Sequence, residues 1–135
     1  MRRSLLTLWG PFIAALAVVF WLSSMSDVPG TRYVWDKVLH AAGYAGLGLL
    51  ALRAFHGGFA SPRVAPTLFA ASTVILWGIS DEFHQSFVPG RSPDVYDVAA
   101  DAVGATIAAL SLAVAAALAR RWGIVETSTR PKRPA

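Results

Sequence analysis

The feature that most constrains this chain is a series of four apolar runs, each of a length that can cross a lipid bilayer as a helix. We expect helices over residues 5–23, 38–55, 67–87 and 95–119. Hydrophobic residues make up 55% of the chain and charged residues 15%, against roughly 25% charged residues in soluble domains. A chain of 135 residues does not need so large a core in water. The pattern therefore predicts an all-α bundle of four transmembrane helices.

The basic residues predict the orientation of this bundle. Arg2 and Arg3 precede the first apolar run, as in a secretory signal peptide. That run is longer than the apolar part of a signal peptide and further membrane segments follow, so we favour an uncleaved helix. Nine of the 12 Lys and Arg residues lie at the two termini or between the second and third helices; the others are Arg32, Lys37 and Arg91. The positive-inside rule then predicts a multi-pass cell-membrane protein with both termini in the cytoplasm.

Composition also limits the domain organisation and the chemistry. We expect one membrane domain over residues 1–122 and a basic, disordered cytoplasmic tail over residues 123–135, which is polar and contains prolines. The absence of cysteine excludes disulfides and thiolate chemistry. A net charge of +4 does not indicate nucleic-acid binding here, because the bases lie at segment ends rather than on one basic face with exposed aromatics.

A polar stretch, Ser80–Asp101, lies between the last two apolar runs and contains five acids. Ionisable groups in or beside a membrane segment are costly and usually functional. Polar residues also recur at helical spacing on the second, third and fourth helices, so three polar faces can converge on one outward-facing pocket. We take as catalytic candidates His40, Asp81, Glu82 and Asp97, and as binding candidates Lys37, Tyr44, Gln85, Arg91 and Asp101.

These residue types permit several chemistries. Carboxylates with a histidine can hold a divalent metal such as magnesium, manganese or calcium, and they can equally act as general acid and base. Lys37 and Arg91 can bind a phosphate or carboxylate. The structural alternative is that the charges only pair with one another, Lys37 with Asp97 or Glu82 and Arg91 with Asp94, and so tie helix ends together. No metalloprotease, serine-hydrolase or phosphate-loop motif is present.

An internal similarity suggests a repeat. Val28–Gly43 resembles Val88–Gly104 with one residue inserted, since both run Val-Pro-Gly, then valine, an aromatic residue and aspartate. We interpret this as two helical hairpins related by an axis along the membrane normal. Gly43 and Gly104 take matching positions, where we expect them to let the second and fourth helices approach each other.

The repeat predicts which polar residues face each other. Asp36 would be equivalent to Asp97, and His40 would be equivalent to Asp101. Helix three would close one side with its acids. We therefore expect the side chains of His40, Asp81 and Asp97 within about 4 to 8 Å of one another, the size of a metal site or a bridging water.

Two segments resemble a known family. DKVLHAAGYAGLG over residues 36–48 and SDEFHQSFVPGRSPDVYDVAADAVGA over residues 80–105 are similar to the VanZ-like family of small bacterial membrane proteins. The similarity extends over about residues 20–110. The family is named after a protein linked to teicoplanin resistance, so the resemblance implies a role in the cell envelope and no specific reaction. Asp101 departs from the family pattern, because relatives often carry asparagine there.

Two functions remain open at this point. One is an outward-facing membrane enzyme, with or without a divalent metal, that acts on an envelope lipid or glycan precursor. The other is a non-enzymatic module that binds a lipid headgroup or a glycopeptide. Transport is a third possibility, but four helices per chain would have to form a homo-oligomer to enclose a path.

Overall fold

The computed structural model describes residues 4–27, 35–58 and 62–123. The tail predicted to be disordered lies outside these ranges except for Gly123. Residues 28–34 also lie outside them, and with them the first part of the predicted repeat and Arg32.

Four helices account for the fold, and the described residues contain no strand. Each helix is long and apolar enough to cross a membrane. The prediction of an all-α, four-helix transmembrane bundle is confirmed, and the protein is a multi-pass membrane protein. The helices are α1 (Leu5–Ser23), α2 (Asp36–Phe55), α3 (Val64–Gln85) and α4 (Val95–Arg121).

Helix boundaries differ from the prediction by a few residues. α3 begins at Val64 and not near residue 67, because Pro66 lies in the first turn, where a missing N–H removes no intrahelical bond. It ends at Gln85, two residues early, and the chain then turns through Gly90 with a positive φ of 83°. α4 begins at the expected residue, because Asp94 caps it by accepting a hydrogen bond from the Tyr96 N–H at 2.9 Å.

The helices alternate in direction. The last turns of α1 and α3 meet the first turns of α2 and α4 at one end of the bundle, which we call the polar end. Contacts there include Ser24 with His84, and Lys37 with Asp94. The other end carries Arg53, Arg63, Arg120 and Arg121, and we call it the basic end.

α2 and α4 form the most extensive helix contact. Gly104 makes it possible, because a Cβ at this position would lie 2.3 Å from the carbonyl oxygen of Ala41. The expectation for Gly43 is wrong: no atom lies within 4 Å of its virtual Cβ. The two glycines differ because the helices around them differ. α3 packs on both α2 and α4, whereas α1 packs on α2 and α3 and makes no comparable contact with α4. The repeat therefore stays a hypothesis.

Large apolar side chains face outward along all four helices. Leu6 is 83% exposed, Phe69 65% and Leu110 60%. In a bilayer the lipid tails cover such side chains, while the helical backbone satisfies its own hydrogen bonds. The buried interior contains apolar groups of all sizes, from alanines to Phe12, and, among its most buried side chains, the carboxylate of Asp101.

Candidate functional site

A histidine–aspartate pair joins α2 and α4 at the polar end. His40 Nδ1 lies 2.9 Å from Asp101 Oδ1, and Asp101 is only 1% exposed. The Asp101 carboxylate can only accept a hydrogen bond, so His40 Nδ1 must be the donor. In the neutral ring the proton is therefore on Nδ1, and Nε2 keeps its lone pair. His40 Nε2 lies 4.0 Å from Asp97 Oδ2. The close approach of α2 and α4 at Gly104 brings these groups together.

The Lys37 ammonium ties the first turns of α2 and α4 together. It donates to Asp94 Oδ2 at 2.6 Å and also to Asp97 Oδ1. The hydrogen bond from Lys37 holds the pKa of the partly exposed Asp94 carboxyl below its usual value. In the described residues Lys37 makes no ion pair with Glu82. Arg91 likewise makes none with Asp94, whose carboxylate Lys37 already occupies.

Asp81 and Glu82 are adjacent in α3 but form hydrogen bonds with different parts of the bundle. Asp81 accepts a hydrogen bond of 2.6 Å from the Ser23 hydroxyl of α1 and one of 3.2 Å from the Gln85 amide. Glu82 Oε2 accepts from the backbone N–H of Asp94 at 2.8 Å. Consecutive helix residues point about 100° apart, so one acid faces α1 and the other faces the start of α4.

A partly open cavity of about 250 Å³ lies between α1, α2 and α3 at the polar end. Val19, Leu22 and Leu39 form an apolar wall. Five predicted site residues line it as well: His40, Tyr44, Asp81, Gln85 and Arg91. The other four, Lys37, Glu82, Asp97 and Asp101, do not line it and belong to the network between α2, α3 and α4.

Several buried polar atoms have no hydrogen-bond partner. The described residues contain five such side-chain atoms, one of which is Trp77 Nε1. The other four belong to predicted site residues: Tyr44 OH, Glu82 Oε1, Arg91 Nε and Asp101 Oδ2. Buried polar groups are normally paired, because an unmet hydrogen bond costs about 1 to 3 kcal/mol. The site therefore has unused capacity that water, a ligand or a cation can satisfy.

Sequence reasoning left three contributors out of its candidates. Ser23 was counted as the end of an apolar run, although it is buried against Asp81. Asp36 lines the cavity. Gly78 is required by packing, because a Cβ there would lie 2.6 Å from Asp101 Oδ2 and 3.2 Å from Tyr44 Cε1. The sequence did hold a signal for two of them: Ser23 is a hydroxyl residue in the last turn of a membrane run, and Asp36 is an acid one helical turn before His40.

His84 lies apart from this network. Its Nε2 is 3.0 Å from the Ser24 hydroxyl oxygen, and its ring packs at 4.5 Å from the ring of Phe20. These contacts join α3 to α1, so the structure accounts for His84 by helix packing.

Fold and site together define a class: a multi-pass α-helical membrane protein that encloses a cluster of ionisable side chains between its helices. A family model described as VanZ/LLP1 matches residues 5–116, which include α1 to α3 and most of α4. The chain belongs to this VanZ-like family and is a membrane protein of the bacterial cell envelope. No curated protein and no solved structure matches it significantly.

Proposed function

We propose that this protein is an enzyme that performs acid–base chemistry on the head group of an envelope lipid or lipid-linked glycan precursor. The observation that carries the proposal is the hydrogen bond between His40, in the cavity wall, and the buried Asp101 carboxylate. Asp101 holds the proton on Nδ1, so that Nε2 can accept a proton from a substrate or a water molecule. A histidine oriented by a buried carboxylate is the arrangement that general-base catalysis uses on many unrelated folds.

The residues around His40 suggest further roles. Asp97 Oδ2, at 4.0 Å from Nε2, would stabilise the protonated ring. Arg91 lines the cavity and its Nε is unpaired, so its guanidinium would bind an anionic head group. Val19 and Leu22 would contact the first carbons of the lipid chain. A substrate that is polar at one end and apolar at the other fits such a lining.

The proposal includes an orientation. The basic end holds Arg53, Arg63, Arg120 and Arg121, while the polar end holds the acids. The positive-inside rule favours the basic end in the cytoplasm, which puts both termini there and the cavity on the outer face. Reporter fusions after Ala135 and within residues 28–34 test this directly. An extracytoplasmic tail would overturn it.

A binding module without catalysis is the second candidate, and Arg91 together with the apolar wall favours it. Such a module needs the charge of Arg91 and the shape of the cavity, but it needs no proton acceptor. The two candidates therefore predict different results for His40 and Arg91.

The test compares lipid extracts of a deletion strain, its parent, and the deletion strain carrying each variant. The enzyme proposal expects a lipid precursor to accumulate in the deletion strain and to persist with His40→Gln at normal protein abundance. The matched control, His84→Gln, should restore the parental composition. If Arg91→Gln fails to restore while His40→Gln succeeds, the binding module is correct. A deletion strain with unchanged envelope lipids and glycans would overturn the enzyme proposal.

A further inference from the structure

Among the described residues, the polar end holds more carboxylates than basic side chains. Four basic groups lie there among the described residues: Lys37, Arg91 and, when protonated, His40 and His84. The carboxylates number seven: Asp27, Asp36, Asp81, Glu82, Asp94, Asp97 and Asp101. Four of the seven are at least 94% buried, at 5% exposure for Asp81, 6% for Glu82, 5% for Asp97 and 1% for Asp101. Buried charges are normally paired or bound to a metal, so this surplus points to an additional positive ligand.

Three of the side chains at the polar end have the geometry of a metal site. Asp36, His40 and Asp97 each offer one ligand atom, and these atoms lie within 4.8 Å of one another. One ion can bridge such separations, because metal–ligand bonds of about 2.0 to 2.5 Å put opposite ligands about 4 to 5 Å apart. The two residues of α2 are one turn apart on the same face, opposite the first turn of α4.

The hydrogen bonds around the three residues leave the ligand atoms available. Asp101 accepts from His40 Nδ1, as the outer partner of a metal-bound histidine commonly does, and so directs Nε2 toward Asp97. Lys37 bonds Oδ1 of Asp97, whereas Oδ2 is the atom that faces His40. A cation can therefore bind Oδ2 without displacing the ammonium group.

A second, independent observation comes from Glu82. This side chain is 6% exposed, and Oε1 has no hydrogen-bond donor. Glu82 lies close enough to Asp97, His40 and Asp101 to interact with them electrostatically. Asp101 Oδ2 is buried and unpaired as well. Unpaired buried acceptors beside a cluster of metal-ligating atoms indicate a positive partner that no side chain of the described residues supplies.

We propose that Asp36, His40 and Asp97 bind one divalent cation of the kind that takes both carboxylate oxygen and imidazole nitrogen, manganese or zinc. Asp36 and His40 also line the cavity, so the remaining coordination positions face the space where a substrate would enter. Such a cation would polarise a phosphate or carbonyl oxygen or lower the pKa of a bound water. With Nε2 bound to the ion, the ring could no longer accept a proton, and a water held by the ion would be the base in its place. This catalytic role rests on the proposed enzyme function, whereas the binding itself rests on the geometry.

The experiment is titration of the purified full-length protein in detergent with Mn²⁺ alone, followed by the loss of the free-ion EPR signal, and with Zn²⁺ alone by calorimetry. We expect one equivalent of at least one of the two ions to bind. His40→Ala and Asp97→Asn should each weaken binding about tenfold or more, as loss of a ligand or its orienting partner does. Asp36 is half exposed, so Asp36→Asn tests the site without risk to the buried core.

Two further variants complete the test. His84→Asn should bind the ion as tightly as the wild type, because its contacts lie outside the cluster. Lys37→Met should bind more tightly, because removal of the neighbouring ammonium leaves Asp97 with more negative charge for the ion. The proposal would be overturned if the wild type bound neither ion at millimolar concentration. It would also be overturned if Asp36→Asn, His40→Ala and Asp97→Asn bound the ion as tightly as the wild type.

The ion titration and the lipid comparison test the two proposals separately. If neither ion binds but His40→Gln still fails to restore the lipid composition, the cation site is wrong and the enzyme proposal stands. If an ion binds with the expected dependence and the lipid composition does not depend on the protein, the enzyme proposal is wrong and the cation site stands.

Discussion

Two histidines at opposite ends of the bundle are held in different ways. At the basic end, His56 is 5% exposed and both ring nitrogens meet backbone groups. Its Nδ1 donates to the Leu52 carbonyl at 2.9 Å, and its Nε2 accepts from the Arg63 N–H at 3.2 Å. At the polar end, His40 donates to a buried carboxylate, and its Nε2 lies 4.0 Å from Asp97 in a cavity wall.

The arginines at the two ends differ in the same sense. Arg53 donates to the Leu8 carbonyl at 3.0 Å and ties α2 to α1. Arg91 lines the cavity, and its buried Nε has no partner. At the basic end, Arg53 and His56 form hydrogen bonds with backbone atoms, and these bonds connect α2 to α1 and to the start of α3. At the polar end, several buried polar atoms lack a hydrogen-bond partner. A folded protein tolerates such atoms chiefly at functional sites, where a ligand supplies the missing partner.

The largest expected effect is on activity, from His40→Gln. If His40 is the general base, the rate of conversion of the accumulated lipid in isolated membranes should fall by about 10² to 10⁴-fold. His56→Gln should change that rate little per folded molecule, because its nitrogens face the backbone at the other end. Equal rate losses in the two variants would remove the functional distinction between the histidines.

The next effect is on stability, from His56→Ala. The partly buried Arg63 N–H would lose its acceptor and a cavity would replace the buried ring of His56, so the free energy of unfolding should fall by about 1 to 3 kcal/mol. Thermal unfolding in detergent, followed by tryptophan fluorescence, measures this. His84→Ala is the control, because its half-buried ring contacts the side chains of Ser24 and Phe20 and its loss takes no partner from a backbone group. A His56→Ala protein as stable as the wild type would show that these bonds do not stabilise the basic end.

A smaller effect is expected from Gly78→Ala. The new methyl group would lie 2.6 Å from Asp101 Oδ2, so the carboxylate must turn and its bond to His40 must weaken. We expect a loss of about 1 kcal/mol in unfolding free energy together with reduced activity. Gly43→Ala should keep or raise stability, because no atom lies within 4 Å and alanine favours the helix. Reduced stability in both variants alike would mean that Asp101 is not positioned by this contact.

The smallest effect concerns the pH dependence of stability through Asp94. Lys37 lowers the pKa of Asp94 in the folded protein, so the ionised carboxylate stabilises the fold at neutral pH. This contribution is complete above the usual carboxyl pKa of about 3.9 and is lost as the pH falls through the lower folded value. Asp94→Asn keeps the helix cap but removes the charge, so it should be slightly less stable than the wild type at pH 7.

The difference in melting temperature between these two proteins should shrink as the solution is acidified below pH ~4. We expect this difference to be small throughout, because Asp94 is partly exposed to solvent and solvent-accessible ion pairs contribute little. If the difference in melting temperature stayed constant from neutral to acidic pH, its cause would be the helix cap and not the ion pair.

Residue order along the chain was enough to predict the helices. The apolar run of α1 matches the helix Leu5–Ser23 because membrane length and hydropathy are properties of consecutive residues. The boundaries of α3 were less accurate, since Pro66 is tolerated in a first turn and the apolar pattern does not show where the last turn closes.

The polar partners were harder to predict than the polar residues. Pairing of Lys37 with Asp97 was among the structural alternatives and is present. Pairing of Arg91 with Asp94 was also expected, but Lys37 occupies that carboxylate. Several acids lie within reach of several bases, so small differences in helix position decide which pair forms, and the sequence does not contain those positions.

By itself the sequence determined four membrane helices, their alternation in direction, and the residues whose charge is costly in such a setting. These follow from the order of residues and from helical spacing, which puts residues i and i+4 on one face. Only the tertiary structure decided that His40 meets Asp101, 61 residues away, and that Ser23 meets Asp81, 58 residues away. The physical reason is packing: Gly104 and Gly78 let α2, α3 and α4 approach closely, and that approach selects which polar atoms are paired and which stay unpaired.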